Sequence, residues 1–350
     1  MIEKYGDKYA TDPDKMLYNG PFVLSSWNHG DSWTFKKNPL YWNADQIKLQ
    51  EVQYKVVKQT STQVNLYNTN QLDFVEKLTG DYLSQFKDKD DFHTRATSTV
   101  GYMNLNEKNK ALANKDIRIA LYNGFDRDTL TKVLLKDGSL PAWYFVPKNL
   151  SPGPKGEDFR AKYPEINKLT SEQTKKTWEK GLKEIGEKSV TLELLVEDDS
   201  YKEQISTFLK DQWEKNLPGL TINIKKQPSG PFLKLERSGD FDIDLTAWWP
   251  DFRDPINFLD LWTTDNHTFN AGRYSNPKYD ALIQKVERLG AQPEKRWEVM
   301  QEAEKVLLDD AGIITTFQYG TAYIQKPYVK NIVEKEMSGF DWRYAYIVKH

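Results

Sequence analysis

The chain has 350 residues, which is long enough for two domains, and 49 Lys plus Arg nearly balance 51 Asp plus Glu. The formal net charge of −2 gives no overall field that would hold nucleic acid or an anionic membrane. The chain has no cysteine, which excludes disulfides, thiolate nucleophiles and Cys-ligated metal centres, whereas its 11 Trp and 19 Tyr suit a peptide or sugar site.

The first hundred residues predict strands and turns with short helices between them. The sequence Asn19-Gly20-Pro21 is a strong turn signal before the apolar run at residues 22–24. Apolar side chains at 52, 54 and 56 alternate with polar ones, as in a half-buried strand, and residues 60–68 carry a helical pattern. A further strand is predicted at residues 72–75, so we expect a region of mixed sheet.

From about residue 111 the sequence predicts helices and strands in alternation. The predicted elements are helices at 116–123 and 126–135, a Pro-rich connector at 141–154, a helix at 171–185, a strand at 190–196, a helix through 201–209, strands at 220–224 and 241–247 with a helix at 232–237 between them, a helix at 293–308 and a strand at 313–324. Asp126 is expected to cap the helix that follows it. This β-α-β-α-β order favours an α/β domain.

Seven segments share their sequence, and their order along the chain, with one known family. They are NGPFVL at 19–24, KKNPLYW at 36–42, VNLYNTNQLDFV at 64–75, DIRIALYNGFDRDTL at 116–130, FDIDLTAWWPDFRDPINFL at 241–259, GRYSNPKYDALI at 272–283 and YIVKH at 346–350. Together they resemble the peptide-binding class of ABC-transporter solute-binding proteins, a group that also includes dipeptide and nickel binders. The signal is specific because so many segments occur in the family's order.

The resemblance implies an α/β fold with the two-lobed, type II architecture of periplasmic binding proteins. Residues 1–98 would belong to the first lobe, 99–318 would form the opposing lobe, and 319–350 would return to the first. Family members usually begin with a signal sequence or lipobox, an N-terminal strand and a small extra lobe, and nothing in this chain resembles those parts. We therefore expect a piece of a longer extracellular or periplasmic protein, whose only membrane association would be a lipid anchor absent from this chain.

The segment at residues 247–255 is the first candidate for a binding site, because it follows a predicted strand of an α/β sheet. Asp254 precedes Pro255 and an apolar run, which is typical of a helix cap. Asp251 has no such local role and lies between aromatic residues, in a setting that we expect to be partly dehydrated. The resemblance implies that Asp251 binds the α-amino group of a peptide.

Four aromatic residues complete the predicted ligand-binding set. Trp248 and Trp249 are successive in an extended stretch, so they point to opposite faces and one of them is expected to be exposed to the ligand. Tyr102 and Tyr319 stand where the resemblance implies aromatic lining of side-chain pockets. Leu245 replaces an Arg that receives the peptide carboxylate in well-described family members, so the preferred peptide length stays open.

Catalytic readings have little support. The four histidines are scattered without paired spacing, and neither GxGxxG nor a P-loop pattern occurs, so we predict no catalytic residues, no metal and no cofactor. The predicted function is that of a substrate-binding subunit of an ABC importer, with an oligopeptide ligand held in a cleft between two lobes and permease subunits as partners. The alternatives are binding of an oligosaccharide or a peptide pheromone, or a carbohydrate-active enzyme with a Trp-rich cleft.

Overall fold

A computed structural model describes residues 2–80, 82–335, 337 and 339–349 of the chain. It divides into two compact units, the first made of residues 1–95 with 321–350 and the second of residues 96–320. The two boundaries fall within two long strands, at residues 92–105 and 313–325. The assignment of lobes to the whole protein stays a prediction.

The regular elements are numbered in chain order. The helices are α1 (Ile2–Tyr5), α2 (Thr60–Asn68), α3 (Tyr82–Phe86), α4 (Lys115–Asn123), α5 (Ser171–Ile185), α6 (Ser200–Asn216), α7 (Ser229–Ser238), α8 (Ile256–Leu259), α9 (Pro277–Arg288) and α10 (Pro293–Asp309), with a π-helix at Thr129–Leu135 and single 3-10 turns at Gly6–Lys8, Pro13–Lys15, Ala44–Gln46, Phe159–Ala161 and Asp260–Trp262. The strands are β1 (Phe22–Asn28), β2 (Ser32–Lys37), β3 (Glu51–Lys55), β4 (Phe74–Leu78), β5 (Phe92–Leu105), β6 (Leu140–Pro141), β7 (Val190–Glu197), β8 (Leu220–Gln227), β9 (Ile243–Trp248), β10 (Ile313–Gln325), β11 (Val329–Lys330), β12 (Val333–Lys335), β13 (Gly339–Asp341) and β14 (Tyr346–Ile347).

The first unit begins with a three-stranded sheet in the order β1-β2-β3. Both pairs are antiparallel. The connection between β1 and β2 is short and contains Gly30, whose φ of 77° gives the left-handed conformation that a tight turn requires. Such a turn joins neighbouring strands that run in opposite directions, which explains the antiparallel pairing.

The core of the first unit forms where α2 and α3 meet the pairing of β4 with the end of β10. It contains Val64, Tyr67, Val75, Leu78, Leu83, Phe86, Ala322 and Ile324. The β4–β10 pairing is antiparallel, with Val75 opposite Ile324. Residues from both ends of the chain therefore build one core.

The second unit is built on a sheet in which β10, β5, β9, β7 and β8 are successive neighbours. Strands β7, β8 and β9 run parallel, and β5 is antiparallel to β9. In β7, Leu194, Leu195 and Val196 are buried in succession, as in a strand that is covered on both faces. Asp199 caps α6 by accepting hydrogen bonds from two N–H groups of its first turn, at 2.8 and 2.9 Å. The α/β domain predicted from the sequence is confirmed by these strands and helices.

Large aromatic side chains fill the interior of the second unit. Trp178, Trp213 and Trp262 are among its largest fully buried side chains. The indole N–H of Trp178 donates to the carbonyl of Pro218 at 2.8 Å, and that of Trp213 donates to the carbonyl of Leu121 at 2.9 Å. Much of the high aromatic content is thus core packing.

One predicted α-helix has a different geometry. Residues 129–135 form a π-helix, closed by a hydrogen bond from the Lys136 N–H to the Thr131 carbonyl. Asp126 begins this segment as predicted, since its carboxylate accepts from the N–H groups of Asp128 and Thr129. No helix in the described part of the chain is both long and apolar enough to cross a membrane.

Candidate functional site

The predicted ligand-binding loop lies at the carboxyl end of β9. Strand β9 is parallel to β7 on one side and antiparallel to β5 on the other, with Val100 opposite Trp248. The chain leaves the sheet directly after Trp248, and the loop at residues 249–255 leads into α8. In sheets with parallel strands, the loops beyond the carboxyl ends of the strands are the usual place for ligands.

Trp248 and Trp249 have opposite surroundings, as the alternation along a strand predicts. Trp248 is half-buried and its ring packs edge-to-face on Phe269, with the centroids 5.1 Å apart. Its indole N–H is buried and has no hydrogen-bond acceptor among the described residues. Trp249 is 62% exposed. One tryptophan therefore anchors the loop, while the other presents a large aromatic surface to solvent.

Asp251 is positioned by an asparagine of the following helix. The side-chain oxygen of Asn257 accepts a hydrogen bond from the Asp251 N–H at 2.7 Å, and the Asn257 amide nitrogen lies 3.5 Å from Asp251 Oδ2. Asn257 is buried in α8, whereas Asp251 is exposed beside the exposed Phe252. The partly dehydrated setting expected for Asp251 is therefore wrong for the protein without ligand. Its carboxylate is held in place but open to a cation.

Two further carboxylates lie close to Asp251. Asp254 forms a two-pronged ion pair with Arg296 of α10, at 2.8 and 3.0 Å, and its Oδ1 accepts from the Ile256 N–H at 3.0 Å. The predicted capping role of Asp254 is confirmed by the latter bond. Partial desolvation raises the pKa of Asp260, and the negative charges of Asp251 and Asp254 raise it further. In the described residues, no three His, Asp or Glu side chains are grouped to hold a metal ion.

Tyr102 lies in the core of the second unit. It is 5% exposed, and its ring packs edge-to-face against Phe145 and Trp262, with centroids 5.1 and 5.3 Å away. Burial raises the pKa of its hydroxyl well above the usual value. Among the five predicted residues, its side chain is the least accessible in the ligand-free chain. Its role in a ligand pocket stays a prediction.

A buried carboxyl group lies two residues along β9 from the partner of Tyr102. Asp244 is fully buried and accepts hydrogen bonds from the side-chain amide of Asn104 at 2.9 and 3.1 Å. Burial raises the pKa of Asp244 well above its ordinary value, and the neighbouring carboxylate of Glu236 raises it further. Asp244 was not among the predicted site residues, because residues 241–247 alternate apolar and polar side chains and this pattern assigns Asp244 to the polar face of the strand.

Tyr319 lies on the other face of β5 from Tyr102. A Cβ on Gly101 would lie 3.2 Å from the Tyr319 ring, so this ring packs against the face to which residue 101 points. Tyr102, one residue further along, points to the opposite face, which it shares with Trp248. The ring of Tyr319 also packs at a tilt against that of Phe317, with the centroids 4.6 Å apart. The structure thus brings Trp248, Trp249 and Asp251 together at one edge and separates Tyr319 from Tyr102 by the thickness of the sheet.

A sequence model of the bacterial extracellular solute-binding proteins, family 5 Middle, matches residues 1–270. The match covers more than half of the chain. The protein therefore belongs to this family of extracellular solute-binding proteins.

Individual relatives agree with this assignment. The chain is 32% identical over 294 residues to the dipeptide-binding protein of Lactococcus lactis, covering 80% of this chain and 53% of that protein. It is 27% identical over 348 residues to the dipeptide-binding protein DppE of Bacillus subtilis, covering 98% of this chain and 63% of the relative. Listeria monocytogenes OppA, solved bound to peptide, is 35% identical and superposes with a TM-score of 0.78 over 100% of this chain and 68% of that one.

The chain thus spans about half to two thirds of the length of these curated relatives. The likeness to OppA confirms the α/β fold of the peptide-binding class that was predicted from the sequence.

Proposed function

We propose that the protein is the substrate-binding subunit of an ABC importer and that it captures oligopeptides outside the cytoplasm for permease subunits. Its family is one of extracellular solute-binding proteins, and the relatives described above are two dipeptide-binding proteins and an OppA that was solved bound to peptide. The whole protein would reach its permease as a lipid-anchored or periplasmic protein. Its role is to bind the ligand and release it unchanged.

The observation that carries the proposal is the position of Asp251. Its carboxylate is exposed and oriented by Asn257, and in the sequence Asp251 lies between the exposed Trp249 and Phe252. A ligand that covers these rings would exclude water from the carboxylate, and an ammonium paired with it would then gain more than at an open surface. Asp251 would accordingly bind the α-amino group of the peptide.

The surroundings of Asp251 add to the attraction for a cation. Asp260, whose pKa responds to the charge of Asp251, is a second carboxylate in the same region. The indole N–H of Trp248 is a hydrogen-bond donor without an acceptor among the described residues, and it could bond a peptide carbonyl. Main-chain bonds of this kind supply affinity without selecting a side chain, so a range of peptides should bind.

Mass spectrometry of material released from the purified protein tests the ligand class. Peptides with free amino termini are expected, whereas recovery of glycans, or their turnover on addition, would contradict the proposal. Calorimetry with one such peptide and with its N-acetylated form then tests the role of Asp251. Acetylation removes the positive charge and should weaken binding by roughly tenfold or more. Equal binding of the two forms would contradict the assignment of the amino group to Asp251.

A further inference from the structure

Asn257 is a buried polar residue inside an apolar run. It is 5% exposed, and the next two residues of α8, Phe258 and Leu259, are fully buried. A buried amide costs free energy unless its polar atoms are hydrogen-bonded, and a leucine of similar volume would not carry that cost. The bonds of this side chain should therefore explain why a polar residue is present.

Both polar atoms of the Asn257 side chain face Asp251. The Oδ1 of Asn257 accepts from the Asp251 N–H at 2.7 Å, and its Nδ2 lies 3.5 Å from Asp251 Oδ2. This side chain makes no other hydrogen bond among the described residues. A main-chain N–H can only donate, so the amide oxygen must face it and the amide nitrogen must face the carboxylate. The bonds of the buried amide thus go to Asp251 alone.

The rest of the loop is fixed by other contacts. Asp254 pairs with Arg296 at 2.8 and 3.0 Å, and it accepts from the Ile256 N–H at 3.0 Å. These bonds attach the loop to α8 and α10 without the side chain of Asn257. What remains for Asn257 is the orientation of the Asp251 carboxylate.

The two oxygens of this carboxylate have different surroundings. Oδ2 has the amide nitrogen of Asn257 beside it, whereas Oδ1 has no hydrogen-bond partner among the described residues. An ammonium is a compact charge that one oxygen can bind. A guanidinium binds a carboxylate best through two parallel N–H groups, one to each oxygen. The geometry therefore treats these two cations differently.

We propose that Asn257 is a positioning residue that makes Asp251 select a primary ammonium over a guanidinium of equal charge. The N–H donor beside Oδ2 hinders the two-pronged approach of a guanidinium and leaves Oδ1 for an ammonium. The inference rests on the proposed function, because the ammonium is the amino terminus of a bound peptide. An arginine side chain of the same peptide would then not displace the amino terminus, so peptides with and without arginine would bind in one register.

Calorimetry with two ligands of equal charge tests the inference. The ligands are trialanine and N-amidino-trialanine, in which the terminal amine has become a guanidinium. The proteins are the wild type, Asn257→Leu, Asn257→Ser and the control Asn123→Leu. Asn123 is a half-buried asparagine of α4 in the same unit, and its side chain donates to the carbonyls of Ile119 and Asn167 at 3.0 and 3.1 Å.

The wild type and the control should bind trialanine roughly tenfold more tightly than its amidino form. In both Asn257 variants this preference should fall to about twofold or less, because a guanidinium can then use both oxygens of Asp251. A change in packing alone would weaken both ligands and leave their ratio as it is.

Both variants at position 257 are expected to fold. Leucine suits the apolar surroundings, and water can bond the N–H of the exposed Asp251. The hydroxyl of a serine can bond a main-chain carbonyl one turn earlier. Since one change keeps the volume of the side chain and the other reduces it, an effect common to both comes from the lost amide.

The outcomes separate this inference from the proposed function. A preference for the ammonium that both Asn257 variants lose and Asn123→Leu keeps supports the inference. A wild type without this preference, a loss in only one Asn257 variant, or an equal loss in the control overturns it while the proposed function stands. If the wild type binds no peptide at all, the proposed function fails. Hydrogen exchange of the Asp251 N–H then decides the positioning role: it should be roughly tenfold faster in Asn257→Leu than in the wild type, and an equal rate would overturn that role.

Discussion

Asp251 and Asp254 lie three residues apart in one loop, yet their surroundings assign them different tasks. Asp251 is exposed and free of ion pairs among the described residues, so Asp251→Asn should leave folding intact. It should weaken peptide binding by removing a charge-assisted bond worth roughly 1.5–3 kcal/mol. Calorimetry on folded protein measures the loss. Asp265→Asn, an exposed aspartate elsewhere in the unit, is the matched control, and an equal effect of both changes would remove Asp251 from the site.

Asp254→Ala should act on stability instead. The change removes the bond to the Ile256 N–H and leaves the half-buried Arg296 without its two-pronged partner. We expect a loss of about 1–3 kcal/mol in the free energy of unfolding, with peptide affinity per folded molecule nearly unchanged. Urea denaturation measures the loss, and the double change with Arg296→Met should recover part of it. A variant of normal stability that no longer binds peptide would reverse the two roles.

The sequence predicts the charged residues of the loop but not their partners. The capping role of Asp254 is predicted by Pro255 and by the apolar run after it. Arg296 is 42 residues away in the sequence, and no local pattern brings the two together. Asn257, the partner of Asp251, is only six residues away in the sequence. A polar residue inside the apolar run that ends at Leu259 is a local signal of such a partner.

At the scale of elements, helix α5 shows packing overriding helix propensity. Gly181 lies inside α5, where alanine is normally favoured by up to about 1 kcal/mol. A Cβ at this position would lie 2.9 Å from two side-chain carbons of Ile117 on α4. Gly181→Ala should therefore destabilise the protein by about 1–2 kcal/mol, because the two helices must move apart.

Gly230→Ala is the matched comparison for this prediction. Gly230 lies in the first turn of α7, and a Cβ there would meet nothing within 4 Å. Because no clash opposes the change, only the higher helix propensity of alanine acts. The free energy of unfolding should therefore stay the same or rise by a few tenths of a kcal/mol. Thermal or urea unfolding of both variants decides the matter. A stabilising Gly181→Ala would show that α4 and α5 have room between them.

The bounds of helices with a regular apolar pattern were predicted closely. The bounds of strands that pair with residues far away in the sequence were not. The helices at 60–68 and 171–185 have the predicted bounds. Residues 129–135 were predicted as α-helix, because over seven residues a period of 3.6 is hard to distinguish from the wider π turn. Strand β4 begins at Phe74 and ends at Leu78, not at 72–75, since pairing with β10 decides which residues are extended. The antiparallel order of β1 to β3 also depends on pairing.

At the scale of the whole molecule, Glu107 links stability to pH. Burial raises the pKa of its carboxyl to about 7, against the opposing effect of Arg118, whose Nη1 is 3.5 Å away. The folded protein thus holds this proton more tightly than the unfolded chain does. The stability it contributes is complete below about pH 4.5 and is lost as pH rises to about 7. Because the side chain is only 21% exposed, the shift in its pKa should act almost fully on stability, and the free energy of unfolding should fall by about 2 kcal/mol over this range.

Glu107→Gln isolates this effect, because glutamine resembles the protonated side chain. The variant should match the wild type near pH 4.5 and exceed its free energy of unfolding by about 2 kcal/mol at pH 8. Urea denaturation at several pH values measures the difference. Glu298→Gln, on the exposed side of α10, should show little dependence on pH. A less stable Glu107→Gln at pH 8 would mean that the ion pair with Arg118 outweighs the cost of burial.

The second unit is one continuous segment, whereas the first combines residues 1–95 with 321–350. During synthesis, residues 1–95 leave the ribosome before the second unit does, but their core lacks Ala322 and Ile324 until the second unit has been made. All residues of the second unit are synthesised before residues 321–350, so the second unit can reach its native packing while the core of the first is still incomplete. The unit whose synthesis begins first is therefore the last to complete its core. Until then, the apolar faces of α2 and β4 stay uncovered. A chaperone that acts on the nascent chain should therefore bind to the apolar residues of α2 and β4.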